Sequence, residues 1–189
     1  MIEHWMRTDE REDVLSSLKL FIESQRMAES DDSYWKWSVI SLHSAVQSAM
    51  AFHLSVGNDL LVMAQEDAEA WLTAHYNDPA YPETRMDGFL NLYRKIKANP
   101  VLGYKFSPKG QQGRSIKALN TLRNEFIHFM PKGWSIELSG MPGIFQDCLG
   151  IVSELGQANV ARWEDEVQFE SFRRLVEKAI EVAISHESH

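Results

Sequence analysis

Cysteine is almost missing from this sequence, which contains a single one, Cys148, in 189 residues. One cysteine excludes an intramolecular disulfide and is typical of a protein from a reducing compartment. We expect Cys148 to be a buried, unreactive thiol. Internal repeats, low-complexity tracts and linkers are also missing. The length therefore predicts one well-buried domain that spans residues 1–189.

Long apolar runs and phosphate-binding loops are missing as well. No stretch approaches the roughly 18 apolar residues of a membrane-spanning helix, and the opening Met-Ile-Glu-His-Trp-Met has no signal-peptide hydrophobic region. We therefore expect a soluble cytoplasmic protein without a membrane partner. The glycines of residues 109–113 do not match the Gly-x4-Gly-Lys-Ser/Thr loop, and no strand precedes them.

The sequence also lacks a set of residues with the spacing of metal ligands. His43 and Gln47 share one helix face, and His53 lies further along the same helix. A two-histidine metal pair needs a spacing such as His-x3-His and a carboxylate, which this helix lacks. We interpret the two histidines as partly buried hydrogen-bonding residues; the alternative is that His43 or Gln47 lines the same cleft as His128. We expect no metal and no other cofactor.

Helical periodicity accounts for most of the chain. Apolar stripes with a period of about 3.6 residues predict an all-α bundle of about six to seven helices. A cap at Thr8 or Asp9 starts the first helix, Ser33 and Asn58 start the next two, and Ser115 starts the fifth. The predicted helices have the approximate bounds 10–29, 33–56, 59–75, 86–98, 115–130, 144–156 and 163–185. Residues 134–138 alternate and predict a short extended piece.

The most informative stretch lies in the fifth predicted helix. Its core stripe consists of four apolar residues within one arc: Leu119, Leu122, Phe126 and Phe129. Asn120, Arg123, Asn124 and His128 lie on the other side, and Arg123 and His128 are about 140° apart around the axis. A fixed cation, an amide and an imidazole suit phosphodiester chemistry. The alternative is a solvated face on which Arg123 pairs with an acid such as Glu125 or Glu137.

The spacing Arg123-Asn124-x3-His128 resembles the Arg-x(4–6)-His signature of the HEPN (higher eukaryotes and prokaryotes nucleotide-binding) superfamily. In that family the arginine is typically followed by Asn, Asp or His, and this chain has Asn124. The specific resemblance covers residues 91–134. It implies a helical bundle with a four-helix core and extra helices, which forms a homodimer so that the two motif helices face each other.

The same resemblance implies a function. Many members of the family are metal-independent endoribonucleases, and others are catalytically silent modules that bind a nucleotide, an RNA or a protein. Bacterial members are often toxins or defence effectors held by a separate antitoxin. In the ribonuclease hypothesis His128 is the general acid or base, Arg123 stabilises the added negative charge, and Asn124 orients His128 or holds a phosphate oxygen.

Charge is distributed unevenly along the chain. The net charge is −8, yet residues 85–132 contain ten basic residues and two acidic ones, which leaves this segment at +8 and the rest at −16. We expect phosphate or RNA contacts from five polar side chains of this segment: Lys109, Arg114, Lys117, Asn120 and Lys132. The alternative is that the basic helices pair with acidic ones inside the fold.

Overall fold

The computed structural model describes residues 5–77, 80–128, 133 and 135–185, and within them it has seven α-helices and no β-strand. The helices are α1 (Glu10–Ala28), α2 (Tyr34–Leu54), α3 (Gln65–Asn77), α4 (Phe89–Ala98), α5 (Gln112–His128), α6 (Met141–Ala158) and α7 (Glu166–Ser185). The predicted all-α helical bundle is confirmed. No helix in the described ranges is long and apolar enough to cross a membrane.

Helix α2 is the centre of the bundle, as its apolar circumference predicts. It packs against α1, α4, α5 and α6, while α7 covers α1 and α6. Its stripe residues Val39, Leu42 and Val46 are completely buried. Burying such side chains stabilises the fold by about 1.5–3 kcal/mol each. The position of α2 therefore determines how α4 and α5 are presented.

Local signals at the first helix work as expected. Asp9 is the N-cap of α1, since its Oδ1 accepts a hydrogen bond from the Glu12 amide at 2.9 Å. The stripe of α1 is buried as predicted, including Gln25, whose Nε2 donates to Ser38 Oγ at 2.9 Å. The Phe145 ring of α6 packs edge-on against Phe21 of α1 at a centroid distance of 5.2 Å.

The predicted starts of α3 and α4 are wrong. Residues 59–64 do not continue a helix, because Asp59 adopts a φ of 59° and the following chain pairs with residues 85–87. The Ala64 amide donates to the Arg85 carbonyl at 3.0 Å, and the Asp87 amide donates to the Val62 carbonyl at 2.9 Å. This long-range pairing delays α3 to Gln65 and α4 to Phe89.

The predicted cap of α5 at Ser115 is also wrong. The helix begins one turn earlier, at Gln112, and Ser115 is a buried helix residue. Its hydroxyl donates to Asp147 Oδ2 of α6 at 2.5 Å. Asp147 is distant in sequence, so local pattern could not reveal this partner. At the other end, the described part of α5 ends at His128, and the predicted end at residues 129–130 lies outside the described residues.

Four expectations for the C-terminal half also need correction. Helix α6 continues past Gly156 to Ala158, and α7 begins at Glu166 because Trp163 has an extended backbone and Asp165 Oδ1 caps the helix by accepting from the Gln168 amide at 2.7 Å. Gly156 is used for close approach, since a Cβ atom there would lie 2.2 Å from the Phe172 ring. Val167, expected in the core stripe of α7, is 77% exposed. In the described part of residues 134–138, no extended strand forms.

Candidate functional site

Helix α5 has an inward side and an outward side. Ile116 and Leu119 are completely buried, and Leu122 and Phe126 are half-buried against the same core. The remaining predicted stripe residue, Phe129, lies outside the described residues. Burial therefore decreases from the start of α5 toward its end. The last described turns leave their polar side chains at the surface.

The motif residues lie on these last turns. Asn124 and His128 are exposed and Arg123 is half-buried. Arg123 Nη1 donates to Asn124 Oδ1 at 3.1 Å, and Arg123 forms no ion pair within the described chain. Neither Glu125 nor Glu137, the two acids named for the alternative of a solvated face, forms an ion pair with Arg123 within the described chain. A guanidinium held by a neutral amide keeps its charge available to an anion.

His43 of α2 lies directly beside the motif helix. Its ring stacks on Phe89 at a centroid distance of 3.9 Å, and its Nε2–H donates to Asn120 Oδ1 at 3.3 Å. Burial lowers the pKa of His43 to about 4, against the opposing effect of the Asn120 hydrogen bond, and the nearby Arg123 charge lowers it further. His43 is therefore neutral at physiological pH, and it holds Asn120 to the bundle.

The other α2 side chains that the sequence singled out are not brought to the motif. His53 is buried near the end of α2, where Asn159 Nδ2 donates to its Nδ1 at 2.9 Å. Burial and the Arg162 charge lower the pKa of His53 to about 4. Gln47 Nε2 approaches the Met86 sulfur at 4.0 Å. Both histidines are hydrogen-bonded as predicted, and both are fully rather than partly buried.

Several cations of the basic segment are used by the fold. Lys109 pairs with Glu154 at 2.8 Å, Lys95 pairs with Asp87 at 2.7 Å, and Arg85 pairs with Asp67 at 3.2 Å. Lys132, another predicted phosphate contact, lies outside the described residues. The expectation that basic helices pair with acids thus applies to one part of the segment. Lys109 is less available to phosphate than the sequence suggested.

Four other cations of the segment line one cleft. Arg94 and Lys97 of α4 face Arg114 and Lys117 of α5 across a volume of about 560 Å³. None of the four forms an ion pair with another described residue. We call this the α4–α5 cleft. Sequence reasoning proposed Arg114 and Lys117 but missed Arg94 and Lys97, whose only signal was their i, i+3 spacing on α4.

Helix geometry connects the cleft to the motif. At about 100° per residue, Lys117, Asn124 and His128 fall within roughly 40° on the outward side of α5. Arg123 lies about 140° from His128 and faces the side where α2 carries His43. The rise from Lys117 to His128 is about 16 Å along the helix axis. The basic cleft and two of the three motif residues, Asn124 and His128, thus lie at two ends of one outward stripe, and Arg123 lies beside it on the α2 side.

The remaining candidates carry no site. Cys148 is completely buried, as predicted, and burial raises the pKa of its thiol. Over the described ranges, no three His, Cys, Asp or Glu side chains form a group suited to a metal ion.

Comparison with known proteins adds no relative: no protein-family model, curated protein or solved structure matches this chain. The class that the structure defines is an all-α bundle, and Arg114, Lys117 and Arg123 of its fifth helix have no ion pair with another described residue. The HEPN resemblance stays a prediction that rests on Arg123, Asn124 and His128.

Proposed function

We propose that the protein is a metal-independent endoribonuclease whose site is formed by Arg123, Asn124 and His128 of two protomers. The observation that carries this proposal is how the motif side chains on α5 are paired and exposed. Arg123 has an amide neighbour and no acidic partner within the described chain, and His128 is exposed at the same end of the helix.

The proposed reaction uses the 2′-hydroxyl of the RNA as the nucleophile. One imidazole removes the 2′ proton, the 2′ oxygen bonds to the adjacent phosphorus, and the bond from phosphorus to the 5′ oxygen breaks. A second imidazole protonates the leaving 5′ oxygen, so the products are a 2′,3′-cyclic phosphate and a 5′-hydroxyl. Arg123 stabilises the additional negative charge in the transition state, and Asn124 positions Arg123 or a phosphate oxygen.

A homodimer supplies the groups that one protomer lacks. A single α5 has one imidazole and directs Arg123 and His128 about 140° apart, which does not place both on one phosphate. Ile127, between the motif residues and 42% exposed, gives this end of the helix an apolar contact. Two α5 helices packed against each other here would bring together two histidines and two arginines.

The partly buried His43–Asn120 hydrogen bond supports the site indirectly. It ties α5 to α2 one turn before Arg123, at 3.3 Å, and the Phe89 ring fixes the imidazole from α4. A catalytic arginine on a helix fixed in this way loses little freedom on binding. We assign His43 and Asn120 as positioning residues.

A second candidate is a catalytically silent module that binds RNA or a nucleotide. The α4–α5 cleft favours this candidate, because its four cations need no catalytic partner to hold phosphate. The toxin or defence role and the antitoxin partner, which the HEPN resemblance implies, stay predictions without a supporting contact in the fold.

Product chemistry tests the proposed function. The purified protein is incubated in EDTA with a single-stranded RNA and with the same strand fully 2′-O-methylated. We expect cleavage of the RNA alone, with 2′,3′-cyclic phosphate ends. Cleavage of the methylated strand, or products with 5′-phosphate ends, would contradict the mechanism. Binding without cleavage would favour the silent module.

A further inference from the structure

The α4–α5 cleft brings together four cations, none of which has an ion pair within the described chain. Outside the cleft, some described cations, such as Lys19, Lys36 and Arg174, also lack an ion pair, whereas six have a carboxylate partner within 4.0 Å: Arg11, Arg85, Lys95, Lys109, Arg173 and Lys178. The cleft has four cations, and none of its lining residues is acidic. Four like charges around one volume repel each other and destabilise the empty site. A bound polyanion would relieve that repulsion.

We infer that the α4–α5 cleft binds the phosphate backbone of single-stranded RNA, and that the strand continues along the outward side of α5 to His128. The inference rests on the proposed function, because it specifies how the substrate of that site is held. It places the non-reacting part of the strand in the cleft and the scissile phosphate at the motif. The cleft thereby contributes affinity and the motif contributes chemistry.

The floor of the cleft contains an unused hydrogen-bond donor. Tyr93 of α4 is 5% exposed and lines the cleft, and its hydroxyl has no hydrogen-bond partner within the described chain. A Cβ atom at Gly113, in the first turn of α5, would lie 3.9 Å from that hydroxyl. Burial raises the pKa of Tyr93, so the hydroxyl keeps its proton. A buried donor without a partner is costly, which fits a site completed by a ligand.

The first turn of α5 adds to the positive potential. Gly110, Gln111 and Gly113 line the cleft where α5 begins, and its first-turn amides carry the positive end of the helix dipole. The ammonium of Lys97 lies 4.6 Å from the centre of the Tyr93 ring. The amides of Gln112, Arg114 and Ser115 already donate to backbone carbonyls. The phosphate donors of the cleft are therefore its ammonium and guanidinium groups.

The dimensions set a minimum length for the RNA. The outward stripe from Lys117 to His128 rises about 16 Å, and a stacked strand advances about 3.4 Å per nucleotide. About five nucleotides therefore connect the cleft to the motif. A trinucleotide reaches one of the two sites, whereas a longer oligonucleotide reaches both. Affinity should rise steeply between these lengths.

The test measures binding separately from cleavage. Fluorescence anisotropy is recorded with a labelled single-stranded RNA of about twelve nucleotides and His128→Ala protein, which keeps the probe intact. Into this background we introduce Lys97→Gln with Lys117→Gln, one cation from each helix. The matched control is Arg173→Gln with Lys178→Gln, which removes the same charge from α7, where both cations have acidic partners.

We expect the cleft variant to bind RNA at least tenfold more weakly than the α7 control. The slope of log affinity against log salt should fall by about 1.4, since each lost contact to a single strand contributes about 0.7. Equal affinities and slopes for the cleft and α7 variants would overturn the inference, as would parent protein that binds no RNA at low salt. The salt slope does not depend on the fraction of folded protein, so a partly unfolded variant cannot imitate the expected result.

A competition arm separates an RNA strand from a free nucleotide. We expect millimolar ATP to displace the RNA weakly, because one triphosphate does not span the cleft and the motif. Tight ATP binding that Lys117→Gln abolishes, with RNA affinity unchanged, would overturn the RNA assignment. The proposed function fails separately: an unimpaired cleft with no RNA cleavage by the parent would contradict the ribonuclease and leave this binding site established.

Discussion

The inward and outward sides of α5 differ in whether their polar side chains have partners within the fold. On the inward side two polar side chains have partners in the bundle: Ser115 donates to Asp147 of α6, and Asn120 accepts from His43 of α2. On the outward side, Arg114 and Lys117 have no ion pair within the described chain. Polar side chains that pair within the bundle stabilise the fold. Polar side chains without such a partner are available to bind a ligand.

The same contrast divides the cations of residues 85–132. Lys95 and Lys109 are close in sequence to Lys97 and Arg114, yet the first two are paired with acids and the last two are not. A positive charge count therefore overstates the available charge. What matters for a polyanion is the number of cations left without a carboxylate after folding.

The largest expected effect concerns packing on the inward side. Leu119 is completely buried, so Leu119→Ala should lower the free energy of unfolding by about 2–5 kcal/mol through lost burial and a residual cavity. Lys117→Ala, two residues away on the outward side, should change it by less than about 0.5 kcal/mol. Urea denaturation of both variants measures the difference. Comparable losses would show that the outward side is also structural.

A second prediction uses the two buried histidines. In the folded protein the pKa of His43 and of His53 is lowered from 6.5 to about 4, so the unfolded chain takes up protons first as the pH falls. Stability should therefore decrease from about pH 6.5 toward pH 4, by up to about 1.4 kcal/mol per pH unit for each histidine. The carboxylates with lowered pKa values, such as Asp87, act below this window.

Urea denaturation at several pH values checks this dependence, with His43→Gln as the comparison. The variant retains a hydrogen-bonding side chain beside Asn120 but no imidazole to titrate. Its stability should vary about half as strongly with pH between 6.5 and 4. An unchanged dependence would show that His43 does not contribute.

The smallest expected effect concerns hydroxyl groups. Tyr93→Phe removes a hydroxyl without a partner in the described chain, so stability should stay equal or increase slightly. Tyr104→Phe is the matched control, because the Tyr104 hydroxyl donates to Glu154 and its loss should cost about 1 kcal/mol. Thermal unfolding of both variants makes the comparison. A larger loss for Tyr93→Phe would mean that its hydroxyl is used within the fold.

Local sequence signals predicted the parts of the fold that depend on local chemistry. The Asp9 cap, the stripe of α1 and the apolar circumference of α2 follow from caps and periodicity, and the structure confirms them. The starts of α3 and α4 did not follow, because residues 62–64 bond to residues 85–87 across a long loop. Ser115 resembled a cap because its true partner, Asp147, belongs to the next helix.

The candidate site divides in the same way. Arg123, Asn124 and His128 were found by spacing on one helix, and the structure locates them on the outer turns of α5. Arg94 and Lys97 were not selected, because their relevance depends on how α4 packs against α5. Lys109 was selected, although Glu154 pairs with it from α6. Residue spacing predicts which side chains share a face of one helix. Which faces of two helices meet can be read only from the tertiary structure.

The most direct test of the central claim is RNA cleavage in EDTA by three proteins: the parent, His128→Ala and His75→Ala. His75 is an exposed histidine on α3, hydrogen-bonded to the Tyr81 hydroxyl at 3.0 Å, and serves as the matched control. We predict that the parent and His75→Ala cleave equally, and that His128→Ala loses about 10²–10⁴-fold in rate. Equal cleavage by His128→Ala and the parent would contradict a site at the end of α5.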